Sequence, residues 1–362
     1  MSPRSSRWFG PADLRGATVL LGGVLGVPLV GQDQATDPVL VHSERIWDRA
    51  EHNAFTGLCV AGDSLWCTFR ESDRHVHGLD GSIRVIRSPD RMNWRSAALL
   101  DEPGIDLRDP KITVMPDGRL MLLIGGSRYV DHDLREQAPR VAFGDAGDGT
   151  FGVLQPMHLP AECATGKDWL WRLTWRDGVG YGAIYHASQR VQSLDLVTTR
   201  DGITCTALAR VDVPLASPRV RATETTLRFL EDGTMLALVR CDGESAVGML
   251  GRALPPYRDF TWVALDRRLG GPDLIVLDGD RLLAGSRVFP PPQSGPGRDD
   301  RSPWTELFWI DTKGATRTLC RLPSGGDCSY PGFALDGDLL RVSYYTSHRE
   351  PTSIHLATLR LK

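Results

Sequence analysis

The stretch TGLCVAGDSLWCTFR, residues 56–70, reads as two strand-forming runs hinged on Gly62-Asp63. A two-residue turn of this kind asks its central residues for positive φ, which Gly, Asp and Asn accept most readily, so it marks a β-hairpin. The same punctuation recurs at Asp117-Gly118, Asp177-Gly178, Asp232-Gly233, Asp278-Gly279 and Asp336-Gly337, at spacings of 55, 60, 55, 46 and 58 residues. A repeat of about 50 residues with several short strands in each unit is the signature of a propeller. In the first unit four strands are expected near 56–60, 65–70, 82–88 and 94–100, and in the fourth near 225–230, 235–240, 246–250 and 261–265. The sixth unit offers only three, at 331–335, 339–345 and 353–361. The run 39–47 is expected to supply its missing outer strand, closing the ring and hiding edges that an open sheet would expose. The expected fold is therefore all-β: a six-bladed β-propeller with four-stranded antiparallel blades.

Composition agrees with this reading. The 362 residues are 41% hydrophobic and 24% charged, ordinary for a globular protein, and ten Trp, 38 Gly and 24 Pro suit aromatic-rich short strands joined by many turns. The net charge of −3 gives no basic excess for nucleic acid. Seven Cys form no CxxC pair, so neither a zinc site nor any other cofactor is expected. Most read as small core residues, with Cys59 and Cys67, on neighbouring strands, as the best candidates for a disulfide. At the N-terminus Arg4, Arg7 and Arg15 flank an apolar stretch at 17–30 (ATVLLGGVLGVPLV) that is too short for an ordinary spanning helix. Residues 1–35 thus read as a signal peptide or an uncleaved membrane anchor, residues 36–362 as the propeller, and the location as secreted or periplasmic.

A second recurrent element sits between third and fourth strands. Ser88-Pro89-Asp90-Arg91-Met92-Asn93-Trp94 has the form of an Asp-box, in which the Asp carboxylate accepts N–H groups of its own turn and the Trp packs between strands. Residues 199–205 (TRDGITC) are a degraded copy, and Trp262, preceded by Pro255-Pro256-Tyr257, holds the same place in the fourth unit. Such boxes identify architecture and carry no chemistry. Asp145–Gly149 (DAGDG) lacks the ligand series of a calcium loop.

Asp-boxes on a six-unit repeat resemble the sialidase (neuraminidase) superfamily, most strongly over residues 69–94, 223–240 and 325–347. The resemblance implies a propeller that binds an acidic sugar through an arginine triad, with a Tyr nucleophile paired to a Glu and an Asp as acid/base, which at Glu71 would be replaced by a Glu. Glu224 and Arg240, sixteen residues apart on hairpin partners, are similar to the family's Glu and a triad Arg. Tyr330, in Gly326-Asp327-Cys328-Ser329-Tyr330-Pro331-Gly332-Phe333, is similar to the nucleophile segment. A phenol is a weak nucleophile at its ordinary pKa of about 10, and a carboxylate that takes its proton activates it. Arg287, ending a second strand, matches another triad position, and Arg70-Glu71 falls in the region of the acid/base. The family's first triad Arg is missing: this chain has His52-Asn53-Ala54-Phe55 there, and Tyr344-Tyr345-Thr346-Ser347-His348 where that Arg's acidic partner belongs. Either Arg70 or Arg108 supplies the lost charge, or the sugar is a different one.

The expected catalytic set is Tyr330, Glu224, Glu71 and Asp109, and the expected substrate contacts are Arg240, Arg287, Arg70 and Arg108. Arg108-Asp109-Pro110 opens the second unit's first strand, and a capping Asp before Pro is the alternative there. Trp169, Trp171 and Trp175 offer a sugar platform or inter-blade packing, His52, His75 and His348 have no metal-ligand spacing, and residues 293–302 read as a flexible loop over the funnel. The expected activity is that of a secreted, retaining exo-glycosidase acting on a terminal acidic sugar of a glycan or glycoconjugate. Two alternatives stand beside it: a propeller glycosidase for another sugar worked by a carboxylate pair, and a non-catalytic glycan-binding propeller.

Overall fold

The computed structural model describes residues 37–187, 192–289, 302–311 and 313–361. The N-terminal signal or anchor segment and nearly all of the 293–302 loop lie outside these residues. Six four-stranded antiparallel sheets are arranged as the blades of a propeller. Each of the six Gly-Asp or Asp-Gly turns joins the innermost strand of a blade to its second strand, as between His52–Ala61 and Ser64–Ser72 or between Cys328–Asp336 and Leu339–Thr346. Val39–Trp47 pairs antiparallel with Ser353–Arg360, so the N-terminal strand completes the last blade as expected. No helix among the described residues is long and apolar enough to cross a membrane.

Six hydrophobic cores hold the ring together, one between the facing sheets of each neighbouring pair of blades. Between blades one and two, Trp66, Ile83, Leu107 and Leu122 are wholly buried. The core between blades six and one is the most aromatic, with Phe55, Phe69, Tyr330 and Tyr345 joined by Trp171 from blade three. In the turn at 88–94, Asp90 accepts the N–H groups of Met92 and Asn93 at 3.0 and 2.7 Å. Asp201 accepts those of Ile203 and Thr204 at 2.8 Å. Asp145, the rejected calcium loop, uses its carboxylate on the Gly147 and Asp148 N–H groups of its own turn.

The seven cysteines are all free. The disulfide expected between Cys59 and Cys67 does not form, because Cys59 registers with Trp66 and Leu58 with Cys67. One residue out of step puts the two thiols on opposite faces of the sheet.

One departure from regular strand geometry recurs around the axis. In five blades the register between inner and second strand slips by one residue at the same height, between 54 and 57, 108 and 111, 170 and 173, 222 and 225, and 329 and 332. Each slip is a β-bulge, which re-aims the side chains of the extra residues. The residues inside these bulges are Phe55, Asp109, Trp171, Glu224 and Tyr330 with their neighbours. Phe55, Asp109 and Tyr330 have φ of 66°, 47° and 53°, left-handed values that side chains other than glycine adopt only under local constraint. The bulges are thus what turns side chains toward the central axis.

Candidate active site

The strongest convergence lies where blades four, five and six meet. The Tyr330 hydroxyl donates to Glu224 Oε1 at 2.7 Å, and Arg240 Nη1 donates to the same oxygen at 2.9 Å and to the phenol oxygen at 3.4 Å. The other Glu224 oxygen accepts the Gly271 N–H at 2.9 Å. Gly271 has φ of 59°, and a Cβ there would overlap the Tyr330 ring, so only glycine fits this contact. Burial, reinforced by the Glu224 charge, pushes the Tyr330 pKa well above its ordinary value. The phenol of Tyr330 is therefore neutral at rest and donates to Glu224. Trp171 packs edge-on beneath the Tyr330 ring at 5.7 Å, and the Lys111 ammonium lies 4.5 Å over that indole. Burial, and after it the Arg172 charge, brings the Lys111 pKa down to about 8.

A cavity of about 270 Å³ opens at this end of the axis, walled by Asp109, Arg108, His75, Trp169, Tyr185 and Arg221 among others. Asp109 Oδ1 is buried and has no hydrogen-bond partner among the described residues. Burial pushes its pKa up, against the opposing pull of Lys111 and Arg108. A buried carboxyl whose pKa is raised beside a cavity is suited to general acid chemistry. Trp169 and Tyr185 stack at 6.3 Å on the cavity wall, and Trp169 is also packed into the core between blades. Trp175 lines a second cavity, of about 410 Å³, at the opposite end of the axis.

Not every expected residue joins this group. The Glu71 carboxylate is occupied by the Arg84 guanidinium, at 2.9 Å for the closest pair, and by the Trp47 indole N–H at 2.7 Å. Its neighbour Arg70 points the other way and is wholly buried, with Nε and Nη2 on Asp106 Oδ1 at 2.9 and 2.7 Å. The alternation of a strand separates the two: neither Glu71 as an acid nor Arg70 as a ligand contact has a free functional group at the cavity. Arg108 does reach the cavity, tied to Asp106 Oδ2 at 3.1 Å.

Arg287 lies beside the Tyr330 ring, but its charge is matched. Its Nη2 donates to Asp327 Oδ1 at 3.0 Å and to the Tyr345 hydroxyl at 2.9 Å, and its Nε donates to the Cys328 carbonyl at 2.8 Å. Asp327 Oδ2 is in turn bonded to His52 Nε2 at 3.0 Å and His75 Nδ1 at 2.7 Å. Burial would raise the Asp327 pKa, yet the bonds from His52 and His75 and the Arg287 charge hold it far below the usual carboxylate range. These three are the one set of three metal-capable ligand atoms that converges among the described residues, within 4.8 Å of one another. Their direct contacts are those of hydrogen bonds between a carboxylate and two imidazoles. Sequence reading missed this cluster. Its members lie at 52, 75 and 327, and only Asp327's place three residues before Tyr330 hinted at it.

The chain matches no family model and no curated protein sequence. Among solved structures it is similar to a Dyadobacter fermentans protein of unknown function, with a TM-score of 0.75 at 16% identity over 90% of this chain and 100% of that one. It is similar to the Trypanosoma rangeli sialidase in complex with the inhibitor DANA, with a TM-score of 0.64 at 12% identity, covering 86% of this chain and 55% of the sialidase. It is also similar to an α-L-arabinofuranosidase from Fusarium graminearum bound to an iminosugar inhibitor, with a TM-score of 0.60 at 14% identity over 90% and 98% of the two chains. These likenesses are of fold.

Proposed function

We propose that this propeller is a retaining exo-glycosidase in which Tyr330 is the nucleophile, Glu224 its base and Asp109 the acid/base. The observation that carries the reading is the 2.7 Å bond between the Tyr330 hydroxyl and Glu224, with Arg240 touching both oxygens. In the first step the phenol oxygen attacks the anomeric carbon while its proton passes to Glu224. The Asp109 proton goes to the glycosidic oxygen, and the alcohol leaves. In the second step Asp109 takes a proton from water, whose oxygen attacks the anomeric carbon. The Tyr330–sugar bond breaks and Glu224 returns the phenol proton. Arg240 stabilises the phenolate character that develops on Tyr330, since its guanidinium already faces that oxygen.

A Tyr–Glu pair, rather than a bare carboxylate nucleophile, is the pattern of sialidases among glycosidases. The fold likeness to a sialidase and to an arabinofuranosidase supports a sugar-cleaving propeller while leaving the sugar open. The substrate side is a glycan or glycoconjugate, and export through the apolar N-terminal stretch, to a secreted or periplasmic location, belongs to the same proposal.

A panel of aryl glycosides, with anomeric configuration of the products followed by NMR, tests it. The expected result is cleavage of at least one member with retention, and a loss of about 10³-fold or more in kcat for Tyr330→Phe with folding unchanged. Cleavage with inversion, or an unchanged rate in Tyr330→Phe, contradicts it. Binding of glycans without any cleavage turns the reading to a glycan-binding propeller.

A further inference from the structure

We infer that Asp327 sets the substrate class of this site: it makes the funnel select an uncharged terminal sugar and reject one bearing a carboxylate. The inference rests on the glycosidase reading for its link to catalysis, but its core is a statement about binding. By the sialidase resemblance, Arg287 is the guanidinium on which an acidic sugar would dock. Its Nη2 is spent on Asp327 Oδ1 at 3.0 Å, and Asp327 is about a quarter exposed at the same place. A carboxylate arriving at Arg287 would meet a fixed carboxylate beside it, and like charges so close disfavour binding.

Arg240, Arg70 and Arg108 are matched in the same way, while Arg221 on the cavity wall keeps a looser partner, Asp242 at 3.9 Å. Arg240 is shared between Glu224 and Asp242 at 2.9 and 3.0 Å. Arg70 and Arg108 converge on Asp106 at 2.7 and 3.1 Å. Lys111 lies beneath Trp171 and Tyr330, its ammonium directed at the Thr56 and Pro110 carbonyls. Where the missing first arginine would stand, the chain has His52 turned onto Asp327. The Asp327 carboxylate already accepts from Arg287, Tyr345, His52 and His75, so what the cluster offers a ligand is the partly exposed His75 ring held beside that charge. A sugar hydroxyl, donor and acceptor at once, suits that arrangement, whereas a second anion does not.

Two measurements test this and keep it apart from the catalytic reading. The first is calorimetric titration of the whole chain at pH 7.5 with N-acetylneuraminic acid, which needs no turnover. The wild type is expected to bind no tighter than about 10 mM, and Asp327→Asn, which keeps the shape and removes the charge, is expected to gain about tenfold or more. Tight binding by the wild type, or a folded Asp327→Asn variant without gain, overturns the inference. If that variant does not fold, the wild-type titration alone decides. The second is hydrolysis of matched aryl glycosides differing only in charge, glucoside against glucuronide and galactoside against galacturonide, with a sialoside included. Preference for the uncharged members supports the inference, and preference for the charged ones overturns it. Failure to cleave any of them counts against the glycosidase reading and leaves the charge rule to the titration.

Discussion

In blade three one imidazole lies between two carboxylates: His186 bonds Asp168 at 2.7 Å and Asp195 at 2.8 Å. At the funnel one carboxylate lies between two imidazoles, Asp327 between His52 and His75. The groups are the same and their placement separates their uses. Asp168 and His186 are register partners on adjacent strands, all three side chains are buried, and Asp168 also accepts the backbone N–H groups of Thr165 and Gly166. Nothing in that cluster is left over for a ligand, so it acts as a lock within one blade. The funnel cluster joins blade six to blade one, with His75 about two-fifths exposed on the cavity wall and Asp327 tied to Arg287. The Asp168 and Asp327 carboxylates are both filled, so exposure is what separates the clusters: the enclosed one stabilises, and the one facing a cavity is within reach of a ligand.

Asp109 extends the contrast, being a buried acid with an unpartnered oxygen where Asp168 has every oxygen filled. Asp109→Asn is expected to show the larger effect, a loss of about 10²–10⁴-fold in kcat. With an activated aryl leaving group, a burst of the aryl alcohol should precede slow turnover, and azide should restore the rate. The wild-type rate should fall as pH rises through a carboxyl pKa above the ordinary range, and that alkaline limb should vanish in the variant. A variant with full activity would place Asp109 with the structural acids.

The blade-three lock makes a smaller prediction, read in stability. Hydrogen bonds to Asp168 and then Asp195 raise the His186 pKa from 6.5 to about 9. A group that binds its proton more tightly when folded contributes fully below its unfolded pKa and loses that contribution as pH climbs through the folded one. Between pH 6.5 and 9 the wild type should therefore lose about 3 kcal/mol, or about 5 °C in Tm, beyond what His186→Gln loses over the same range. Thermal melts across that range check it, and parallel curves for the two proteins would remove His186 from the balance.

The blades could be read from the chain because the signal is local: each hairpin announces itself in two turn residues, and the strand at 39–47 was needed to complete a three-stranded unit. Tyr330, Glu224, Arg240 and Arg287 were found through resemblance, and the structure brings the first three into direct contact with one another. The bulges were not legible, since a one-residue slip leaves no mark in apolar alternation. Glu71 entered with Arg70 through the resemblance, and the ordinary alternation of their strand turns the two to opposite faces. The His52–His75–Asp327 cluster escaped because it is assembled from three distant points by ring closure, with no spacing to betray it.

The central claim is that the phenol of Tyr330 attacks the sugar. Incubation with a 2-fluoro glycosyl fluoride of whichever sugar the panel identifies, followed by intact-mass and peptide-mapping mass spectrometry, addresses it most directly. The account predicts a stoichiometric adduct on Tyr330 that is absent from Tyr330→Phe. An adduct on the carboxylate of Glu224 or Asp109 would contradict it.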